Sequence, residues 1–210
     1  MATRKGEHHG SAASKRAILE AVLSRALEAG YEGTTMVDVA RASGLPIGSV
    51  YWHFQNKEQL FAELLDYCFE IWKDANPPSR SMRERLRISI GTSAAASAGS
   101  ADPAAAFWSI GLIFALRRFD DNAARQRYLG IRAEMFTLMA ERLRAEFPAL
   151  PEDEANKLAR DITGMARAVT DGFRIAAAAG DDTDFEHAAA MAADALEHLI
   201  RTRVSELTDA

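Results

Sequence analysis

The chain has 210 residues, 48% of them hydrophobic, and a formal net charge of −5, enough apolar material for one large domain or a small domain beside a larger one. Its longest apolar stretch, Ala104 to Leu116, is interrupted by Ser109 and is shorter than the ~20 residues that cross a bilayer, and no apolar leader follows the basic N-terminus, so neither a membrane span nor a secretory signal is expected. The single cysteine, Cys68, allows no internal disulfide, which fits a reducing cytoplasm.

Charge is unevenly spread. Residues 1–60 hold seven Lys/Arg and six acids, whereas the other 150 hold 18 bases and 24 acids. A near-neutral head on an acidic body confines any nucleic-acid contact to the head, because the body repels phosphate.

In chain order, residues 1–13 lack periodicity and read as a disordered arm. Ser14 can cap a helix running to Ala29, with Ile18, Ala21, Val22 and Ala26 on one face and Gly30 as the stop. Thr35-Met-Val-Asp38 has the form of a capping box, with Asp in place of Glu, and opens a short helix that ends at Gly44. Pro46 suits the first turn of a third helix. Asn56-Lys-Glu-Gln59 is a second capping box and starts a longer helix through Leu60, Leu64, Tyr67 and Ile71, which Pro77-Pro78 ends. Further helices are expected at 80–99, 103–118, 121–147, 151–179 and 184–207. No segment alternates with a period of two, so the predicted fold is all-α.

The 35–54 segment joins two helices too short to be stable alone. Val39, Ala40, Leu45 and Val50 are spaced to share the small core of a helix-turn-helix, in which the second helix lies in the major groove of DNA. The residue types carry more. Gly30-Tyr31, Thr34-Thr35, Val39-Ala40, Ala42-Ser43-Gly44-Leu45, Gly48-Ser49-Val50-Tyr51-Trp52-His53-Phe54 and Lys57-Glu58 together resemble the signature of the TetR family of transcription regulators, over about residues 14–62.

That resemblance implies an N-terminal three-helix helix-turn-helix DNA-binding domain at 14–60, joined to a larger helical-bundle domain at 61–210 for ligand binding and dimerisation. It implies a cytoplasmic homodimeric repressor on a palindromic double-stranded operator, released by a small-molecule effector; an activator or a ligand-independent regulator of the same family is the alternative. By the same resemblance Tyr51, His53 and Lys57 would meet phosphates, and Thr35 would offer its hydroxyl and a helix N-terminus to another. Pro46, Ile47, Gly48, Ser49 and Trp52 occupy the base-facing positions, where Ile47 can touch a thymine methyl. No Arg, Asn or Gln stands there, so Arg41 and the arm residues Arg4 and Lys5 are further candidates, the arm in the minor groove.

In the body, helix 103–118 is apolar nearly all round and should be buried on several sides. Residues 91–100 are only Gly, Ser, Thr and Ala, so Trp72, Phe107, Trp108 and Phe114 could surround a cavity; small residues that simply allow close packing are the other reading. Cys68, Thr92, Arg132, Arg167 and Asp171 are possible polar anchors, although Arg167 and Asp171 also stand at ion-pair spacing. A largely apolar effector follows. The last two helices are expected to form the dimer interface through Gly172, Phe173, Ala176, Ala192, Ala195, Leu196 and Leu199, with Gly164 and Gly172 allowing close approach; packing within one protomer would use the same faces. No phosphate loop, nucleophile elbow or metal-ligand spacing is present, so no enzyme, cofactor or metal is expected. An enzyme with an appended head would need a catalytic constellation in 60–207, and a scaffold that used the head for protein contacts would not bind DNA.

Overall fold

The computed structural model describes residues 4–77, 79–97, 103–116 and 122–209, with backbone only at 4–10, 92–97 and 104–105. Nine helices and no strand are found among the described residues: α1 (Arg4–Gly33), α2 (Met36–Ser43), α3 (Ile47–His53), α4 (Lys57–Ala75), α5 (Met82–Ser97), α6 (Pro103–Leu116), α7 (Ala123–Arg144), α8 (Glu152–Ala179) and α9 (Phe185–Thr208). None of the described helices is long and apolar enough to cross a membrane.

The element boundaries follow from local chemistry. Gly30, at φ 68°, breaks the helical run of α1 where the sequence places a stop. The start differs: backbone is helical from Arg4, so the segment expected to be an arm continues α1 beyond Ser14. A formed helix propagates at little cost where no proline intervenes, and 4–13 contain none. Gly44, at φ 69°, closes α2 in the left-handed conformation and donates its N–H to the Ala40 and Arg41 carbonyls. Asn56 Oδ1 accepts the Gln59 N–H at 2.8 Å, while Gln59 Oε1 accepts the Gln55 N–H at 2.8 Å, a capping box displaced by one residue on its return arm. Ser81 and Glu84 form a full box ahead of α5, which sets its start after the expected residue 80. Asn122 caps α7 by accepting the Ala124 N–H at 2.8 Å.

Two compact units result. The first comprises residues 1–72 and 101–129, and the second 73–100 and 130–210. In the first, Ile18, Val22, Val39, Val50, Phe54, Phe61 and Leu64 are sealed from solvent. Tyr31, Phe61 and Phe114 meet edge to face, with centroids 4.7 to 6.0 Å apart. A Cβ on Gly111 would overlap the Tyr128 ring, so only glycine lets α6 approach α7 this closely. In the second unit α5 packs on α8 and α9. Leu143, Phe147, Leu150, Leu158 and Ile162 form one cluster and Leu86, Ala193 and Leu196 another.

Candidate nucleic-acid interface

The head is built around α2 and α3. Thr35 caps α2: its hydroxyl accepts the Asp38 N–H at 3.1 Å and donates to Asp38 Oδ2 at 2.6 Å. That hydroxyl bond is the main reason the Asp38 carboxyl is held below the usual carboxylate range, with Arg41 adding to it. Arg41 sits 3.3 Å from Asp38, with its side chain largely in solvent. The reach expected of Thr35 is therefore already occupied, in both hydrogen-bonding senses, by Asp38.

Helix α3 is two-sided. Val50 is sealed, as is Phe54 just past its end, and they anchor it in the core. Outward it presents Ile47 at 40% exposure, Tyr51 at 52% and Trp52 at 71%, with Pro46 and Gly48 exposed and Ser49 half-buried. His53 is half-buried between Trp52 and Phe54, at 4.6 and 6.0 Å from their rings. Burial lowers its pKa and the Lys15 ammonium lowers it further, against an opposing Glu63.

Lys57 is not splayed outward. Its ammonium lies 4.3 Å above the Tyr31 ring and donates to the Glu32 carbonyl at 3.3 Å, at the end of α1 where carbonyls favour a cation. Sequence reasoning missed what lies behind this. The buried Asn122 amide donates to the Tyr31 hydroxyl at 2.9 Å, and Glu58 accepts the Ala123 N–H at 3.3 Å. The start of α7 is thereby hydrogen-bonded to the end of α1 and the start of α4. The readable signal was the Asn122-Ala-Ala capping pattern; its second bond, to Tyr31, has no local signature.

Of the expected effector residues, Trp72, Phe107 and Trp108 do come together: Trp72 to Trp108 is 6.4 Å and Phe107 to Trp108 is 4.9 Å. Phe69 and Tyr128 complete this cluster, at 6.2 and 5.9 Å from Phe107. Cys68 is buried in the same stretch of α4. Phe114 instead joins Tyr31 and Phe61. Thr92 lies on α5 and its side chain is outside those described. In the second unit Asp171 accepts from Arg132 and, at 2.7 Å, from Arg174, which also donates to Ser89 at 2.8 Å. Arg167, expected to pair with Asp171, lies 4.6 Å above the Phe136 ring. A cleft of about 710 Å³ opens between α5 and α9, and Arg80, Arg87, Ile88 and Phe185 are among the residues lining it. Among the described side chains, none of the effector residues expected from sequence belongs to that lining.

The expected dimer residues divide. Gly172 and Ala195 are exposed; Phe173, Ala176, Ala192 and Leu199 are half-buried. Leu196 is a correction: it is buried against Leu86 and Ala193 within its own unit, because its turn of α9 faces α5. The large apolar side chains left in solvent are others, Met165 at 47%, Ile175 at 52% and Met191 at 59%. Met165, Ala168, Gly172, Ile175 and Ala179 recur at four- and three-residue steps along α8, a stripe that could have been read from the sequence.

An all-α chain with a buried helix-turn-helix core and an outward second helix is, by class, a helix-turn-helix protein. Residues 18–64 match the family model described as bacterial regulatory proteins, tetR family, so this part of the chain resembles that family of transcription regulators. About a quarter of the chain is similar to curated regulators. The biofilm operon icaADBC negative regulator IcaR of Staphylococcus epidermidis is 30% identical over 60 residues, which are 29% of this chain and 32% of that protein. The transcriptional regulator TtgR of Pseudomonas putida is 40% identical over 53 residues, 25% of each chain. These alignments span a third or less of either relative. Similarity of fold extends much further. A transcriptional regulator from Rhodococcus aligns with a TM-score of 0.63 at 20% identity, over 88% of this chain and 96% of that one. FadR of Bacillus subtilis, solved with stearoyl-CoA, aligns with a TM-score of 0.60 at 16% identity, over 86% and 96%.

Proposed function

We propose that this chain is a ligand-responsive repressor, acting in the cytoplasm as a homodimer on a palindromic operator. The observation that carries the reading is the outward face of α3, where Ile47, Tyr51 and Trp52 stand in solvent on a helix whose other side is locked by Val50. A rigid helix with exposed aromatic side chains suits insertion into the major groove. Tyr51 and His53 would flank it at phosphates. Lys57 would contribute from the start of α4 after leaving Tyr31, and Thr35 would serve through the N-terminus of α2, since its hydroxyl is engaged by Asp38.

Two heads are needed to read a palindrome, one helical turn, about 34 Å, apart. The unpartnered stripe of Met165, Gly172 and Ile175 on α8, with Met191 and Ala195 on α9, supports a second copy of this chain as its cover. The effector is a small, largely apolar molecule received by the Phe69, Trp72, Phe107 and Trp108 cluster. These rings stand at the far end of the helix that begins with Lys57, so moving them moves α4. Effector and operator then weaken each other's binding by the same factor, as coupling between two sites requires.

The test is a footprint and gel shift with the full-length protein on the DNA flanking its own gene. A protected palindrome is expected, with Tyr51→Ala lowering affinity at least tenfold and leaving the fold intact. Absence of sequence-selective binding by the purified protein overturns the reading.

A further inference from the structure

The chemistry of α3 says more about which DNA it reads, given the DNA-binding reading above. Its outward face carries Ile47, Tyr51 and Trp52 beside exposed Pro46 and Gly48. The hydrogen-bonding groups on that helix are the half-buried Ser49 hydroxyl, the Tyr51 phenol, the Trp52 indole N–H and the half-buried His53 ring. There is no amide, carboxylate or guanidinium. Telling the four base pairs apart by hydrogen bonding relies on paired donors and acceptors aimed at one base edge. A lone indole N–H finds an acceptor on guanine, adenine or thymine alike, so it separates them poorly.

Hydrocarbon separates them better. The major groove displays one apolar group, the 5-methyl of thymine, and the remaining base edges are polar. Pressing the Ile47 side chain or the Trp52 ring onto a polar edge removes water from an acceptor or donor without replacing it. Pressing it onto a methyl buries carbon on carbon. Arg41, the cation on α2, stands largely in solvent beside Asp38 and on the helix before the outward face of α3, so it is not part of that face.

We propose that operator selectivity in α3 rests on the 5-methyl groups of pyrimidines, contacted by Ile47 and Trp52. The recognised bases are thymines, and 5-methylcytosine is preferred over cytosine at the same positions. The indole N–H and the Tyr51 phenol then orient the helix and leave selection to the methyl.

The experiment is selection of binding sites from a random duplex library by the full-length protein, followed by resynthesis of the selected site with single thymines replaced by deoxyuridine. That change deletes the methyl and keeps every hydrogen-bonding group. The expected result is an enriched thymine at one or more positions in each half-site, with affinity falling about fourfold for each methyl removed. Ile47→Ala and Trp52→Ala should abolish the loss, each at its own position, and cytosine placed there should gain affinity on 5-methylation. A selected site whose affinity is indifferent to deoxyuridine overturns the proposal, as does a guanine-anchored site whose selectivity disappears in Arg41→Ala. A library that yields no enriched sequence overturns the DNA-binding reading itself, so the two failures are separable.

Discussion

The two units solve the same problem, holding helices together while leaving one surface open, with different chemistry. In the first, aromatic rings are interlocked around Tyr31 and Phe61, and the polar contact among them is neutral and buried, the Asn122 amide on the Tyr31 hydroxyl. In the second, the core is aliphatic, around Leu158 and Ile162 and around Leu86 and Leu196, and charge lies at its margin, with Arg83 of α5 clamped by Glu197 and Asp194 of α9, and Asp171 of α8 between Arg132 and Arg174. Their open surfaces differ too. That of α3 is apolar with a phenol and an indole N–H at its tips, whereas that of α8 and α9 is Met165, Ile175 and Met191, with no donor among them. An apolar surface with polar tips suits a partner that is itself polar, such as a DNA groove. A purely aliphatic one suits another aliphatic surface, for which a second copy of this chain is the simplest supply.

The largest expected effect breaks that pairing of surface and partner. Ile175→Glu combined with Met191→Glu puts like charges onto the aliphatic face, where burial would leave them unpaired. Sedimentation should show conversion from dimer to monomer, and operator affinity should fall by roughly two orders of magnitude because one head must then bind without the other. Helical content should be unchanged, since both side chains already lie in solvent. Retention of the dimer would reassign the face to another partner.

Legibility from sequence followed the same division. Capping signals at Thr35 and Asn56, the glycine at 44 and the apolar spacing of Val39 and Val50 are local, and they placed α2, α3 and α4 within a residue or two, whereas α1 begins ten residues before the expected Ser14. The outward residues of α3 were legible as well, because a short helix with one sealed side leaves little choice for the other. Long-range contacts were not. Nothing near Lys57 announces that it will lie over Tyr31, nor does any spacing link Asn122 to Tyr31 across 91 positions. On α8 and α9 aliphatic and small residues stand both in solvent (Met165, Ile175, Met191) and in the core (Ile162, Ala193, Leu196), so residue type alone could not separate the solvent stripe from the core stripe. Leu196 was placed on the wrong one for that reason.

An intermediate effect tests whether a neutral buried bond outweighs exposed charge. Asn122→Ala removes the amide on Tyr31 and the cap of α7 together, and should cost about 2 kcal/mol in urea unfolding. Tyr31→Phe keeps the cap and should cost about 1 kcal/mol. Arg83→Ala, despite breaking contacts to two carboxylates, should shift the unfolding midpoint very little, because exposed ion pairs are offset by solvation and side-chain entropy. A larger loss for Arg83→Ala than for Asn122→Ala would invert the comparison.

The smallest effect lies on the open side of the head and concerns pH. In the free protein the His53 pKa is depressed by burial and by Lys15, so the ring is largely neutral at pH 7. The unfolded chain, with the ordinary value near 6.5, takes up a proton first as pH falls. Any stability His53 contributes is therefore present above about 6.5 and is lost as pH drops through the lower, folded value. Operator affinity should run the other way. A phosphate beside His53 raises its pKa, so binding takes up a proton and strengthens as pH falls from about 7.5 toward 6. A few-fold gain is the most one exposed contact supplies, and His53→Gln should flatten the affinity profile while leaving binding at pH 8 intact. Affinity that weakens on acidification in the wild type, or a profile unchanged in His53→Gln, would place His53 away from the phosphates and leave the α3 surface to act through Tyr51, Trp52 and Ile47.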